Sequence, residues 1–329
     1  ERIINEKNQT KKIKLLKTII EKKNFLPAIY ENYLNTLFRN TDFSFFLLLN
    51  DFRKKKKDWI KKKGLDKLNF LFLEPKLFMG AFGNSYATET LIRAENLKPD
   101  NQKKKLICIL PKGTKFTNKT LTKYFSKYVD VFKSEDIGFS TEEYSHICED
   151  PAVHLDVLNE ELFLDIAANK CEAEEKKTEY NKPIFRLDSE DNESGYKTLS
   201  KFGLTKKDWF VTFHIREKGY RNETIKNDKE SFRNSNPDNY IDAIKFVTAQ
   251  GGWAIRVGDK SMSNLPKMEN VIDYANENIK SEFMDIFLAA KSKFCVGTDS
   301  GYFRVPRFFG VPVLLTNCAH NMIYYSLKS

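Results

Sequence analysis

The sequence lacks the features that mark membrane-spanning, disulfide-bonded and metal-binding proteins. Its longest apolar run, FSFFLLL at 43–49, is much shorter than the roughly 20 residues of a membrane-spanning helix. The five cysteines are scattered without CxxC spacing, and no two of the four histidines have metal-ligand spacing. We therefore expect a cytoplasmic protein with reduced cysteines, no bound metal and no signal peptide.

Common motifs of nucleotide-binding and hydrolytic enzymes are also missing. There is no GxGxxG after a first strand and no GxxxxGK[ST], so neither a dinucleotide fingerprint nor a P-loop is predicted. No GxSxG occurs, which excludes the nucleophile turn of α/β hydrolases. The acidic DSED at 188–191 resembles a metal-binding DxD only loosely, and we interpret it as solvated. No cofactor is expected.

The positive charge of the chain is concentrated near its start. The net charge is +10, and residues 1–66 carry 17 Lys/Arg and 8 Asp/Glu, whereas the other 263 residues carry 38 and 37. The basic run KKKKDWIKKKG at 54–64 is either a solvated helical face or a contact surface for anionic lipid, nucleic acid or an acidic partner. Nucleic acid is disfavoured, because aromatic residues do not alternate with the basic ones there. Lipid contact would place the protein at the inner face of a membrane.

Apolar periodicity predicts an α/β protein with three parts. Residues 1–66 form a basic helical extension. Residues 67–182 contain a strand, a glycine loop, a helix and a strand, which predicts a Rossmann-like domain with a linker. Residues 183–329 repeat this alternation and predict a second Rossmann-like domain. We expect two doubly wound domains that face each other across a cleft.

Polar residues follow four predicted strands of the second series. Ligands of open α/β sheets bind at the carboxyl ends of the strands, so we expect these residues to form one site. They are His214, Arg216, Asp259, Asp273, Thr298, Asp299, Ser300 and Gly301.

The stretch TDSG at 298–301 could bind an anion. Backbone N–H groups at the start of the next helix and the hydroxyl of Ser300 can donate to a phosphate, and Arg304 lies one turn further on. Gly301 would allow a close approach. The alternative is an ordinary strand-to-helix turn with an Asp/Ser cap.

Two arginines near the strand ends need partners. Arg216 could neutralise a diphosphate leaving group, or it could form a salt bridge with Glu217 or Asp259. Arg256 interrupts an apolar strand, and either a ligand phosphate or Asp259 would compensate its charge.

The segments HIREKGYR at 214–221 and GTDSGYFRVPRFFGVPV at 297–313 resemble the nucleotide-sugar-binding half of GT-B glycosyltransferases. Region 67–329 looks like a bacterial family associated with surface-glycan gene clusters, whose members show HxRExGYR and GTxSG…VPxxFGVPV. It is also similar to heptosyltransferases and to the α1,6- and protein O-fucosyltransferases. The resemblance implies sugar transfer from a nucleotide-diphosphate donor, with a GDP-sugar favoured, to a surface glycan or glycolipid in polysaccharide biosynthesis.

The resemblance also implies roles for single residues. Arg216 would hold the donor β-phosphate, His214 would contact the nucleoside, and Asp273 would read a purine edge. The other donor contacts would come from Arg256, Asp259, Thr298, Asp299, Ser300, Gly301 and Arg304. The fucosyltransferase pattern has a carboxylate where Gly219 stands here and its base at Thr224.

An inverting transfer needs a general base on the acceptor hydroxyl and positive charge on the departing diphosphate. Arginines and helix N–H groups can supply that charge without a metal. The candidate bases are Glu223, which we prefer, Glu217 and Glu89. The loop MGAFGNSY is expected to line the acceptor side through Gly83, Asn84 and Ser85.

Two other functions are left open. A hydrolysing nucleotide-sugar epimerase of the same fold would release free UDP without an acceptor. A basic binding module would hold nucleic acid through residues 1–66 in a salt-sensitive manner.

Overall fold

The computed structural model describes residues 44–76, 81–137, 148–149, 155–178, 182–218 and 231–318, together with Lys14, Leu16, Thr18, Tyr33 and Leu37. The chain divides into two compact units. The first comprises Glu1–Phe78, Thr90–Lys115 and Ser126–Tyr180, and the second comprises Met79–Glu89, Phe116–Phe125 and Asn181–Ser329. Two short segments from the first half of the chain therefore belong with the second unit. The domain bounds expected from the sequence stay a prediction.

The first unit is built on a four-stranded parallel sheet with the order β3-β2-β1-β4. The strands are β1 (Phe70–Leu73), β2 (Lys105–Leu110), β3 (Val129–Lys133) and β4 (Cys148–Glu149). Strand β2, KLICIL, is buried along almost its whole length, as is usual for an inner strand of a parallel sheet. Strands β5 (Leu155–Val157) and β6 (Glu160–Leu162) form a separate antiparallel pair.

Five helices are described in the first half of the chain. They are α1 (Ser44–Lys62), α2 (Ser85–Asn96), α3 (Lys119–Phe125), α4 (Ser134–Ile137) and α5 (Leu164–Glu175). Helix α1 lies within the predicted basic extension. Trp59 on this helix packs against Ile107, Ile109 and Cys148 of the first sheet. Within the described residues, no helix is both long and apolar enough to cross a membrane.

The second unit is built on a five-stranded sheet in which every pairing is parallel. Its strands are β7 (Phe210–His214), β8 (Trp253–Val257), β9 (Val271–Ile272), β10 (Cys295–Thr298) and β11 (Val313–Thr316). They lie in the order β9-β8-β7-β10-β11. Counted within the sheet this is 3-2-1-4-5, the Rossmann order. The expected α/β class with two Rossmann-like doubly wound sheets is thus confirmed.

Helices cover both faces of the second sheet. They are α6 (Ser189–Leu199), α7 (Ile241–Ala249), α8 (Glu282–Lys291) and the short α9 (Arg304–Phe308). Ile244 and Val247 of α7 join one core cluster with Val211 and Phe213 of β7. Successive strand residues point to opposite faces of the sheet, so Thr212 points away from α7. Its hydroxyl lies 3.3 Å from that of Ser292, the residue that follows α8.

Local capping explains where two of these helices begin. The hydroxyl of Ser281 accepts a hydrogen bond from the backbone N–H of Met284 at 3.2 Å and so caps α8. Before α7, the side chain of Asn236 accepts from the N–H of Asp238 at 3.1 Å and starts a 3-10 turn, Pro237–Tyr240, which leads into the helix.

Candidate functional site

The second sheet changes its winding direction between β7 and β10. Chain connections run from β7 outward to β8 and β9, and then cross back to β10 and β11 on the other side. In doubly wound sheets such a switch point leaves a crevice at the carboxyl ends of the two central strands, where ligands bind. Here those ends are His214 and Thr298.

Side-chain hydroxyls join the carboxyl ends of β7 and β10, and the hydroxyl of Thr298 also donates to the carbonyl of His214 at 3.5 Å. The backbone N–H of Arg216 donates to the hydroxyl of Thr298 at 2.8 Å. The hydroxyl of Ser300 lies 3.0 Å from Nδ1 of His214. The structure therefore brings together His214, Arg216, Thr298 and Ser300, which the sequence analysis placed in one site.

His214 occupies an environment that favours its neutral form. Its imidazole stacks on the ring of Tyr302, with centroids 5.1 Å apart and planes 15° apart. Desolvation by burial lowers the pKa of His214 to about 4, and the nearby Asp259 carboxylate opposes this shift only in part. At neutral pH the ring is uncharged, so it offers polar contacts without adding positive charge.

Arg216 is held in place from several directions. Its side chain is only 7% exposed, and its guanidinium Nη1 donates to the side-chain oxygen of Asn234. The backbone N–H of Ser235 donates to the Arg216 carbonyl at 2.9 Å. These contacts fix the guanidinium at the switch point before any ligand arrives.

A second arginine at this site was missed by the sequence analysis. Nε of Arg233 donates to the backbone carbonyl of Asp299 at 2.9 Å, so its guanidinium reaches the TDSG turn. Arg233 stands in the polar stretch SFRNSN before α7, which carries no strand or helix pattern. The signal in the sequence was a basic residue in the polar loop between β7 and α7.

A groove of about 870 Å³ adjoins this corner on the α7 side of the sheet. Asn234 belongs both to the groove and to the contact with Arg216. Apolar side chains form the walls further along, and amides and hydroxyls cluster at the end near Arg216. The lining residues are Phe213, Asn234, Ser235, Asn236, Asn239, Tyr240, Ala243, Phe246, Val247, Phe294, Val296, Leu314, Thr316 and Asn317.

The TDSG turn is shaped largely by contacts within the protein. The hydroxyl of Ser300 accepts from the N–H of Tyr302 at 3.3 Å and caps a 3-10 turn, Gly301–Phe303, which precedes the five-residue α9. A Cβ atom at Gly301 would lie 2.6 Å from the backbone nitrogen of Gly83. Gly301 is thus required by a backbone contact between two loops, whereas a Cβ atom at Gly83 would lie at an ordinary 3.6 Å from the Cα atom of Gly301. The ligand approach expected at both glycines stays a prediction.

Arg304 takes a stacked position next to this turn. Its guanidinium carbon lies 3.7 Å from the ring centroid of Tyr86 and 4.9 Å from that of Phe303. A guanidinium over an aromatic face is a stabilising arrangement in itself. The phosphate role expected of Arg304 stays a prediction.

Arg256 forms a buried ion network in which the expected partner Asp259 takes no part, while the expected contact with a ligand phosphate stays a prediction. Its side chain is fully buried; Nη2 lies 3.0 Å from Oε1 of Glu217, and Nη1 lies 3.2 Å from Oδ1 of Asp273. The same guanidinium donates to the carbonyl of Ser263. The sequence suggested Asp259 or a ligand phosphate instead. Asp259 accepts from the N–H of Ser261 at 2.7 Å and closes a turn.

The two carboxylates of this network are engaged on both oxygens. Oε2 of Glu217 accepts from the N–H and the hydroxyl of Ser263, at 3.1 and 2.6 Å. Oδ2 of Asp273 accepts from the N–H of Leu265 at 3.0 Å and from Asn276 at 2.9 Å. These contacts direct Glu217 and Asp273 towards the protein, and the general-base role expected of Glu217 stays a prediction.

The other candidate residues have varied surroundings. Glu223 lies outside the described residues. Glu89 is buried on α2, Asn84 is exposed, and the hydroxyl of Ser85 donates to the carbonyl of Phe82 at 2.5 Å. In the part of the chain that the structure describes, no group of three or more His, Cys, Asp or Glu side chains could hold a metal ion.

No protein-family model matches the chain, and no curated protein matches it in sequence. Several solved structures show similarity, among them the following three. The E. coli ADP-heptose lps heptosyltransferase II has a TM-score of 0.41 at 10% identity, over 75% of this chain and 83% of that one. The glycosyl transferase family 9 protein from Veillonella parvula DSM 2008 has a TM-score of 0.33 at 13% identity, over 70% of this chain and 61% of that one. The Methanocaldococcus jannaschii UDP-GlcNAc 2-epimerase has a TM-score of 0.24 at 14% identity, over 72% of this chain and 66% of that one. At these values the similarities carry no argument about function.

Proposed function

We propose that the chain is a GT-B glycosyltransferase that moves a sugar from a nucleotide-diphosphate donor to a surface glycan or glycolipid. The observation that carries this proposal is the pair of links between β7 and β10, at the point where doubly wound sheets bind nucleotides. The segments that resemble nucleotide-sugar-binding sequences, HIREKGYR and GTDSG, fall on these same two strand ends. This coincidence favours sugar transfer over other nucleotide-dependent reactions.

In this proposal the guanidinium of Arg216 offsets the charge of the departing diphosphate. Its burial and its bond to Asn234 support that role, because a preorganised donor loses little freedom when the ligand binds. Arg233 adds a second positive charge beside the TDSG turn. With two arginines at the diphosphate, the proposed transfer needs no metal ion.

The nucleoside would lie near neutral His214, and the groove that begins at Asn234 is of a size usual for small-molecule sites. A GDP-sugar is our preferred donor, on the likeness to fucosyltransferases. Asp273 adds little to this preference, because both of its oxygens face protein groups.

We propose inversion at the anomeric carbon with Glu223 as the general base. The contacts of Glu217 with Arg256 and Ser263 are the reason to prefer Glu223 over it. The acceptor hydroxyl would lose its proton to this carboxylate as it attacks the sugar carbon, and the bond to the diphosphate would break.

Thermal unfolding with a panel of nucleotides tests the proposal. GDP, UDP, ADP, CMP and their sugars are added to the wild type, to Arg216→Ala and to Arg186→Ala, a control for an exposed arginine of the same unit. A ligand at 100 times its dissociation constant should add about 2.7 kcal/mol of stability. We expect a shift with one nucleoside diphosphate that Arg216→Ala loses and Arg186→Ala keeps. No shift with any nucleotide would refute the proposed site.

Product analysis separates transfer from hydrolysis. The nucleotide-sugar that gives a shift is incubated with and without glycan and glycolipid acceptors, and free nucleotide is measured. We expect release that depends on the acceptor and is lost in Glu223→Gln. Release at an equal rate without acceptor would point to a hydrolysing epimerase and contradict sugar transfer.

A further inference from the structure

Helix α1 carries a face made almost entirely of lysine. Lys54, Lys55, Lys57, Lys61 and Lys62 are exposed, and at 100° per residue they cover about 160° of the helix. We call these five residues the lysine face. Asp51 and Asp58 are the acidic residues of α1 within its arc. Lys63 and Lys67, just beyond the helix, are exposed as well.

The opposite side of α1 is anchored on the first sheet. Phe52 and Lys56 are buried, and the ammonium of Lys56 donates to the backbone carbonyl of Cys148 in β4 at 2.8 Å. Trp59 packs against Ile107 and Ile109 of β2. The helix therefore cannot turn its charges inward, and the lysine face is held towards solvent on a rigid support.

Charges arranged in this way repel one another and cost stability unless a polyanion neutralises them. On the helix itself, Lys55 forms an ion pair with Asp51 at 2.8 Å. An extended anionic surface would complement the exposed lysines of this face together. The exposed apolar side chain of Leu68, which follows Lys67, could enter the boundary of such a surface.

We propose that the lysine face docks the protein onto a bilayer of anionic phospholipids. A lipid surface fits better than nucleic acid, because the face has no arginine to fork onto phosphates and no aromatic ring on which bases could stack. Lysine, a compact and strongly hydrated charge, suits the diffuse field of a membrane surface. This surface belongs to the first unit, so the proposal does not rest on the function proposed above.

Co-sedimentation of the full chain with vesicles tests the docking surface. Vesicles of phosphatidylcholine alone are compared with vesicles that also contain phosphatidylglycerol, at low and at high salt. We expect binding only to the anionic vesicles and release at high salt, because screening shortens the reach of surface charges. A variant with Lys54→Gln, Lys57→Gln and Lys61→Gln should bind more weakly by about fivefold per lysine, on the order of a hundredfold in all.

A matched variant controls for net charge. Lys201→Gln, Lys207→Gln and Lys245→Gln remove three exposed lysines from the second unit, and this protein should bind anionic vesicles like the wild type. If the triple variant fails to fold, the single change Lys61→Gln replaces it, and its affinity for anionic vesicles should fall about fivefold. The proposal is overturned if the wild type does not bind anionic vesicles, or if both triple variants lose binding equally. Tighter, lysine-dependent binding to an RNA or DNA oligomer than to the vesicles would overturn the lipid assignment.

Discussion

Replacing Arg256 with methionine removes a fully buried guanidinium from between two carboxylates while keeping an unbranched apolar stem. Glu217 and Asp273 would then keep their negative charges without the cation that lies 3.0 and 3.2 Å away, and the carbonyl of Ser263 would lose a donor. The second unit should lose stability as a result.

The size of the loss follows from the burial of the partners. Breaking a buried ion network by removing one partner typically costs about 3–5 kcal/mol. The side chains of Glu217 and Asp273 are 12% and 18% exposed, so water can compensate part of their charge. We therefore expect a loss at the lower end of this range, about 3 kcal/mol.

Urea unfolding followed by tryptophan fluorescence measures this loss, since Trp209 and Trp253 lie in the second unit. The matched control combines Arg256→Met with Glu217→Gln and Asp273→Asn. Uncharged amides need no buried cation, so this triple variant should be more stable than Arg256→Met alone. A change of less than about 0.5 kcal/mol in Arg256→Met would refute the reasoning, as would a triple variant that is no more stable than the single one.

Two further predictions concern the second unit. Gly195→Ala should lower the free energy of unfolding by about 1–3 kcal/mol, because the added Cβ atom would overlap the ring of Phe287. Ser194→Ala, on the exposed side of α6, should leave the free energy of urea unfolding unchanged. Equal effects of the two substitutions would contradict this packing. His214 has a folded-state pKa lowered from 6.5 to about 4, so the unfolded chain binds its proton first as the pH falls. Stability should decline from about pH 6.5 towards pH 4 by at most about 1.4 kcal/mol per pH unit. His214→Gln should flatten that part of the profile, and a profile parallel to the wild type would argue against a neutral buried ring.

The convergence of the switch-point residues could be predicted from the sequence because it depends on local pattern. An apolar run that ends in His214 or Thr298 marks a strand and its carboxyl end. In a parallel sheet all such ends share one edge, so their side chains meet without any knowledge of the loops. The order of the strands in the sheet decides which two strand ends are neighbours at the switch point. The sequence pattern does not contain that order.

Contacts that depend on loops were not predictable in this way. Gly83 and Gly301 meet although 217 residues separate them along the chain. Arg256 finds its partners on two loops that follow different strands, where several acids were equally plausible from sequence spacing. Neither pairing has a periodic signal, because loop geometry is set by long-range packing.

The same limit applies to the two segments that join the second unit. Met79–Glu89 and Phe116–Phe125 lie between strands of the first sheet in sequence, so the pattern favoured a place beside that sheet. Specific contacts fix the second of them elsewhere: the amide of Asn118 donates to the carbonyl of Glu282 at 2.8 Å, and the hydroxyl of Tyr124 donates to Asp191 at 2.6 Å. Single polar contacts of this kind leave no mark in apolar periodicity.

Arg216 follows β7 and lies between two supports that come from the strands on either side of β7. Its own backbone N–H is tied to Thr298 on β10, and the next residue, Glu217, is tied to Arg256 on β8. Because the backbone is fixed on both sides, the freedom of the guanidinium is lost on folding and not on binding. Loss of the Arg256 network should therefore weaken the binding of any anion at Arg216, even though Arg256 itself is buried away from the switch point. The nucleotide panel applied to Arg256→Met, at temperatures where the variant is folded, would separate this positioning effect from the effect on stability.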